Sequence, residues 1–266
     1  MPGADEKNYN WNWSAPLIIS PHNPSRLYYG AERLFRSDDR GESWTAVSGD
    51  LSRDIDRNKL EVMGRVWGVD SIAKNASTST YGALVAVDES PLVEGLIYAG
   101  TDDGLIQVTE DSGRTWRRID KLQGVPNRFF VNDIKADLHD PDTVFVVVDG
   151  HRSGDFSPYI LMSTNRAKSW KRTAGNLPER HILWRVVQDH EKPGLLFLGT
   201  EFGVFFTVNG GGSWTKLKGG SPNIPFRDLV ILTRENDLVG ATFGRSFYVL
   251  DKYSPLRDVT EDMLKN

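Results

Sequence analysis

Two acidic residues hold equivalent places in repeated segments of this sequence. Asp102 lies in "GTDDG" and Glu201 lies in "GTEFG". Two carboxyl groups about 5–10 Å apart can hydrolyse a glycosidic bond, one as the acid and the other as the base or nucleophile. Asp102 and Glu201 are therefore candidate catalytic residues. Equivalent acids also recur simply because a repeat recurs, so a structural explanation stays open.

Five further loop side chains are candidates for ligand binding. A histidine can give or take a proton near neutral pH, an arginine suits a carboxylate, and a loop tryptophan can stack on a sugar ring. The five residues are Trp67, Asp103, His151, Arg152 and Arg245. Solvated or locally bonded loop residues have the same composition, and this is the alternative interpretation for each of them.

The motif Ser/Thr-x-Asp/Asn-x-Gly-x-Ser/Thr-Trp occurs four times, as "SDDRGESW", "TEDSGRTW", "STNRAKSW" and "TVNGGGSW". Catalytic groups are rarely needed four times, so the repetition favours a structural turn over a set of calcium or carboxylate sites. The Asp or Asn can bond N–H groups of its own turn, the Gly supplies φ > 0, and the Trp packs between neighbouring repeats. The turn residues are Asp39, Gly41, Trp44, Asp111, Gly113, Trp116, Asn165, Trp170, Asn209, Gly211 and Trp214.

The motif belongs to a longer unit of four strands. Two apolar strands joined by a turn precede it, as in "LIYAGTDDGLIQV" and "LLFLGTEFGVFFT". Another strand precedes each pair, and a short strand follows the tryptophan. Trp170 and Trp214 lie 44 positions apart. Four-stranded units at this period are typical of a β-propeller.

The sequence therefore predicts an all-β chain of about five propeller blades, each a four-stranded antiparallel sheet. The predicted blades are residues 14–50, 80–124, 129–176, 181–220 and 225–253, with an insertion at 51–80. The fifth copy has no tryptophan motif, and the aromatic segment "NYNWNW" is expected to supply its outer strand and close the ring. The candidate site residues are expected on the face opposite the tryptophan turns, where propellers commonly bind ligands.

The tryptophan motif matches the Asp-box, or BNR, repeat. The chain resembles the BNR/Asp-box propeller superfamily, and more narrowly the bacterial sortilin (VPS10)-like and BNR-repeat glycosyl-hydrolase-like proteins. The stretches "YNWNWSAPLIISPHNPSRLYYGAERLFRSDDRGESW" and "LVGATFGRSFYVLDKYSPLR" carry the closer match. The resemblance implies a propeller whose Asp-boxes are hairpin turns. The larger relatives have more propeller upstream, so this chain is expected to be either a fragment of such a protein or a short member of the group. Relatives are often exported, but the compartment of this chain is not predicted.

The composition argues against several classes of partner and cofactor. The chain has 266 residues, 32 basic and 36 acidic, a formal net charge of −4 and no cysteine. A mild negative charge argues against nucleic acid, and no apolar run approaches the roughly 18 residues of a membrane span. Absent cysteine excludes disulfides and thiolate metal sites, and no metal or cofactor is expected.

Two functional hypotheses follow. The first is a non-catalytic scaffold that binds a protein, a peptide or a glycan, and that associates with further propeller or with itself. The alternative is a glycoside hydrolase that acts on a polysaccharide through paired carboxylates.

Overall fold

The computed structural model describes residues 8–68, 70–72 and 81–265. Within these ranges the chain forms five consecutive sheets, here called blades 1 to 5, and one small hairpin. Blade 1 contains β1 (Leu17–Ile19), β2 (Leu27–Gly30), β3 (Leu34–Ser37) and β4 (Thr45–Ala46). The hairpin contains β5 (Glu61–Val62) and β6 (Arg65–Val66). Blade 2 contains β7 (Leu84–Glu89), β8 (Ile97–Thr101), β9 (Ile106–Thr109) and β10 (Arg117–Ile119).

The second half of the chain repeats this arrangement. Blade 3 contains β11 (Phe130–Ala136), β12 (Val144–Gly150), β13 (Asp155–Ser163) and β14 (Lys171–Arg172). Blade 4 contains β15 (Leu183–Gln188), β16 (Leu196–Thr200), β17 (Gly203–Thr207) and β18 (Thr215–Lys216). Blade 5 contains β19 (Phe226–Leu232), β20 (Asp237–Thr242) and β21 (Phe247–Leu250). Short 3-10 helices occur at Arg57–Lys59, His151–Ser153, Ser254–Asp258 and Met263–Lys265.

Every blade is an antiparallel meander in chain order, which confirms the predicted five-bladed propeller. Blades 1 to 4 have four strands each, and blade 5 has three in the described part of the chain. The predicted insertion at 51–80 is described only in part, because residues 69 and 73–80 lie outside the described residues. Its described portion carries the hairpin β5–β6.

The core lies between blades, because each central strand is apolar on both faces and both faces need cover. Strand β8 is buried along its whole length. One cluster joins blades 2 and 3 through residues such as Tyr98 and Val131, and similar clusters join the other successive pairs. Gly100 belongs to this packing, since a Cβ there would collide with Val131.

The prediction for the N-terminal aromatic segment was wrong. Tyr9 packs edge-on against Phe35 at 4.9 Å between ring centroids, and Trp11 packs on Tyr29 at 4.6 Å. The segment thus covers the β2 and β3 part of the outward face of blade 1, leaves β1 exposed, and does not add a strand to blade 5. The physical reason is that none of the five described blades covers the aromatic face of blade 1, so these rings bury each other.

The inner strands surround one axis, but the first and last blades do not pack on each other. Strands β7, β11, β15 and β19 contact one another in turn, whereas no comparable contact joins β1 and β19 within the described ranges. Leu17 and Ile19 of blade 1 remain 59% and 64% exposed, and Val230 of blade 5 remains 51% exposed. The five blades therefore leave one apolar face open at each end.

Candidate functional site

Strand pairing places one residue of each of blades 2 to 5 at the same point of the loop face. The N–H of Asp102 donates to Ala83 O at 3.0 Å, and the N–H of Glu201 donates to Ile182 O at 2.9 Å. The register of the other two blades gives the corresponding positions, which are Asp149 and Phe243. Asp102, Asp149 and Glu201 are thus equivalent acids, and only Asp149 escaped sequence reasoning.

A cleft of about 750 Å³ opens between blades 2 and 3 and is here called the blade 2–3 cleft. Two of the equivalent acids, Asp102 and Asp149, line it, whereas Glu201 is not among its lining residues. The remaining wall combines rings and polar or charged groups, including Tyr81, Arg128, Phe129, Phe130 and Arg152. The predicted pair of Asp102 and Glu201 is therefore not brought together in this cleft. The cleft holds a different pair of carboxyl groups.

Asp102 is largely buried, at 8% exposure. Its Oδ1 accepts from the N–H groups of Gly82 and Ala83 at 2.9 Å each, and its Oδ2 accepts from Asn12 Nδ2 at 3.0 Å. Burial raises the pKa of Asp102 to about 6, against the lowering effect of the backbone bonds. A carboxyl group with this pKa can hold a proton in mildly acidic solution, as a general acid must.

Asp149 is paired with the histidine that sequence reasoning selected. It accepts the backbone N–H of His151 at 2.9 Å and contacts His151 Nδ1. The Asp149 side chain is 1% exposed, whereas the His151 side chain is 34% exposed. A carboxylate on Nδ1 orients the ring and leaves Nε2 for another partner. His151 also lies edge-on to Trp184 at 6.0 Å between centroids.

A second cavity, of about 600 Å³, lies at the loop-face end of the axis and is here called the axial mouth. Four inner strands carry a β-bulge where they reach it. A bulge adds one residue and redirects its side chain. The residues at these bulges are Val85, Asn132, Trp184 and Arg227, and all four line the mouth. Phe130 and Arg152 line both the mouth and the blade 2–3 cleft, so the two cavities are neighbours.

Two other predicted side chains lie close to the mouth. Glu201 accepts a hydrogen bond from Trp184 Nε1 at 3.2 Å. The Arg152 guanidinium carbon lies 4.3 Å from the centre of the Phe130 ring. Arg227, which was not a predicted site residue, lies 3.6 Å from the centre of the Trp184 ring. Its position inside a bulge is not visible in the sequence.

Three predicted ligand-binding residues lie elsewhere. Asp103 is 0% exposed, and its carboxylate accepts from Thr101 Oγ1 at 2.5 Å and from the N–H of Arg53 at 2.7 Å. Asp103 therefore fastens the insertion to blade 2 and does not face a ligand. Trp67 is half-buried beneath the Arg65 guanidinium at 3.4 Å. Arg245 is exposed on the β20–β21 turn and lines neither cavity.

The tryptophan turns use their polar groups internally. Asp39 Oδ1 accepts the N–H of Ser43 at 2.9 Å and Oδ2 accepts its hydroxyl at 2.5 Å, while Ser37 Oγ accepts the N–H of Gly41 at 2.8 Å. These bonds, the Ser43 hydroxyl first, lower the pKa of Asp39 to about 2. The same turn residues recur as Asp111, Asn165 and Asn209. In the described part of the chain no group of three or more His, Cys, Asp or Glu side chains is arranged to hold a metal ion.

The tryptophans differ in burial from turn to turn. Gly41, Gly113 and Gly211 have φ of 94°, 94° and 93°, as the turn requires, and Ala167 takes φ of 61° in the third copy. Trp116, Trp170 and Trp214 pack into the clusters between blades. Trp44 remains 38% exposed, because it lies on the open face of blade 1.

Comparisons with known proteins agree with this architecture. No protein-family profile matches the chain. The xyloglucanase Xgh74A of Acetivibrio thermocellus is 31% identical over 172 residues, which is 60% of this chain and 20% of that enzyme. The chain thus spans about a fifth of the length of this curated relative.

No helix among the described residues is both long and apolar enough to cross a membrane.

Solved structures with the same fold have low sequence identity. The GH74 xyloglucanase of Xanthomonas campestris superposes with a TM-score of 0.61 at 19% identity, over 89% of this chain and 36% of the enzyme. The Cps50 (Swd1) β-propeller domain of Myceliophteria thermophila superposes with a TM-score of 0.62 at 9% identity, over 98% of this chain and 71% of that domain. At such identities the likeness concerns the fold alone. The chain is a β-propeller with relatives among the GH74 xyloglucanases.

Proposed function

We propose that this chain is a non-catalytic propeller that binds a polysaccharide in the blade 2–3 cleft. The observation that carries the proposal is the composition of the cleft, which combines the rings of Tyr81 and Phe130 with charged and amide side chains. Rings can stack on the apolar faces of sugars while polar groups bond their hydroxyls. Relatives named xyloglucanases support a glycan as the ligand.

The bonding of the acids favours binding over catalysis. Both oxygens of Asp102 already accept hydrogen bonds from protein groups, and the Asp149 side chain is 1% exposed. A glycosidase needs both carboxyl groups directed at the sugar. These acids instead hold the loops that form the cleft wall.

Hydrolysis through paired carboxylates is the second candidate. It is favoured by the pKa of about 6 that burial gives Asp102 and by the presence of Asp149 in the same cleft. In this case Asp102 is the acid, and Asp149, oriented by His151, is the base or nucleophile. Glu201 remains a third carboxylate to test, because it occupies the equivalent position in blade 4.

The binding proposal is tested by titrating the purified chain with xyloglucan oligosaccharides in a calorimeter. Phe130→Ala removes a ring from the cleft, and we expect it to weaken binding at least tenfold. Phe156→Ala is the matched control, since Phe156 is a loop aromatic of blade 3, 38% exposed, that lines neither cavity. Equal affinity in wild type and Phe130→Ala would remove the cleft as the binding site.

The choice between binding and hydrolysis requires a second measurement on the same samples, the release of reducing ends. The binding proposal expects none. Release that disappears in Asp102→Asn and in Asp149→Asn would establish the second candidate. Release that survives both changes but disappears in Glu201→Gln would move the reaction to blade 4. If no saccharide binds, the search moves to protein and peptide ligands.

We further propose that the four tryptophan turns are Asp-box turns of the BNR superfamily, in a sortilin (VPS10)-like or glycosyl-hydrolase-like member. The support is the shared bonding of Asp39, Asp111, Asn165 and Asn209 with the Ser or Thr four residues later. Such turns join the two outer strands of a blade and need no ligand of their own.

A further inference from the structure

The axial mouth is lined by three arginines, and among the described residues only Arg185 forms ion pairs. Arg185 Nη1 lies 2.7 Å from Asp133 Oδ1, and its Nε lies 2.7 Å from Asp228 Oδ1. Arg152 and Arg227 differ, because neither guanidinium group forms a hydrogen bond or an ion pair with another described residue. Two guanidinium groups with unused N–H donors therefore face one cavity.

Both guanidinium groups rest on aromatic rings. Arg227 lies 3.6 Å from the centre of the Trp184 ring, and Arg152 lies 4.3 Å from the centre of the Phe130 ring. Stacking of this kind holds the guanidinium plane and leaves its edge donors for a ligand. Phe243 closes the side of the mouth next to Arg227, with 5.5 Å between guanidinium carbon and ring centre.

The acids nearest to Arg227 and Arg152 form no ion pair with them. Partial desolvation lowers the pKa of Arg227, and the charge of Arg152 acts in the same direction. The acids that oppose this effect are Glu201 and Asp149. Asp149 is bonded to His151 and Glu201 to Trp184, and neither lies within ion-pair distance of the two arginines. A ligand carboxylate would supply the missing partner.

We infer that the axial mouth binds the carboxylate of a uronic acid residue in an acidic polysaccharide. The inference rests on the proposed glycan-binding function, and it adds the class of saccharide. Arginine pairs with a carboxylate through two parallel hydrogen bonds, and the two arginines keep their N–H edges for such a pair because their planes lie on rings. Phe130 and Arg152 belong to both cavities, so a chain seated in the blade 2–3 cleft can extend into the mouth.

The test compares two ligands that differ only in charge, a short oligogalacturonide and the same oligosaccharide after reduction of its carboxyl groups. Calorimetric titration of wild type should show at least tenfold tighter binding of the acidic ligand. Arg227→Gln and Arg152→Gln should each remove most of this preference, because each should weaken the binding of the acidic ligand much more than that of the reduced ligand. The matched control is Arg180→Gln, since Arg180 also lies over a ring, Phe156, at 5.5 Å but lines neither cavity.

The outcomes separate this inference from the proposed function. Equal affinity for the two ligands, with binding still dependent on Phe130, would overturn the inference and leave the proposed function standing. No binding of either ligand or of xyloglucan oligosaccharides would overturn both. Competition by a glutamate-rich peptide as strong as that by the oligogalacturonide would retain a carboxylate site but contradict a saccharide ligand. Should Arg227→Gln fail to fold, Arg227→Lys keeps the charge and removes the paired donors, and full retention of the preference in that variant would also contradict the inference.

Discussion

The four turn tryptophans occupy equivalent positions but contribute unequally to stability. Trp214 is 3% exposed and donates through Nε1 to Thr173 O at 2.9 Å, which ties blade 4 to blade 3. Trp44 is 38% exposed, and within the described part of the chain its Nε1 donates only to Gly41 O of its own turn. Trp214→Ala should lower the free energy of unfolding by about 3–5 kcal/mol, as large core truncations do. Trp44→Ala should cost clearly less, because less surface is buried. Urea unfolding measures both, and equal losses would show that the open face of blade 1 is covered in solution.

Asp102 should give stability a measurable pH dependence. Burial raises its pKa to about 6, whereas an unfolded aspartic acid titrates at about 3.9. Between these values the folded protein holds a proton that the unfolded chain releases, so the contribution of Asp102 to stability is present below pH 4 and is lost as the pH rises through 6. The loss is at most roughly 3 kcal/mol, at about 1.4 kcal/mol per pKa unit.

The check is urea unfolding of wild type and Asp102→Asn at several pH values across that window. The free energy of wild type should fall relative to that of the variant as the pH rises, because asparagine does not titrate. Asp251→Asn serves as the control, since Asp251 is exposed. Parallel curves for wild type and Asp102→Asn would mean that the three hydrogen bonds to Asp102 cancel the effect of burial.

At the scale of the strand, the repeat made most of the fold predictable. Turn residues and alternating apolar residues are features of short sequence segments. Four strands per blade could therefore be predicted from the sequence. The equivalence of Asp149 to Asp102 could not, because the long loop that follows Gly150 hides the alignment, and only strand pairing restores it. The bulges that direct Trp184 and Arg227 into the axial mouth depend on contacts between strands. They cannot be recognised from the sequence of one strand. The path of the N-terminal segment depends on which blade face lacks a neighbour, which is a property of the whole assembly.

The segment after β21 links blade 5 to blade 4 through the carboxylate of Asp189. Asp189 accepts from Tyr253 Oη at 2.6 Å and from Arg257 Nη2 at 2.8 Å. Burial acts to raise the pKa of Asp189, but the bonds from Arg257 and Tyr253 outweigh it and lower the pKa to about 2. The stabilisation by these hydrogen bonds to Asp189 is therefore present above about pH 4 and is lost as the pH falls towards 2.

Arg257→Gln should move the onset of acid unfolding to higher pH, as followed by tryptophan fluorescence. The matched control is Arg234→Gln, because the Arg234 side chain is 91% exposed and pairs only with its neighbour Glu235 among the described residues. An acid transition that stays in place in Arg257→Gln would show that Asp189 is held mainly by Tyr253 and by its own turn.

At the scale of the molecule, the open face of blade 5 is apolar and continuous. Pairing aligns Val230, Val239 and Val249 across the three strands. Val249 is 53% exposed, and Phe247, beside it on β21, is 70% exposed. Soluble monomers rarely expose such contiguous apolar surface. The complementary open face is that of blade 1, where Leu17 and Ile19 are exposed.

These two faces correspond to the two sides of every interface between successive blades, so blade 1 of a second copy is the natural cover for blade 5. The contact joins different surfaces of the two copies, and such contacts propagate unless the rotation closes.

We therefore expect the purified chain to associate with increasing concentration in sedimentation velocity runs. Phe247→Lys combined with Val249→Lys should return it to a monomer, because a charge on each outer-strand residue opposes burial. Phe202→Lys, which charges a residue 42% exposed on the β16–β17 turn, should leave the association unchanged. A wild-type chain that stays monomeric at high concentration would contradict the proposed contact between blade 5 and blade 1 of a second copy.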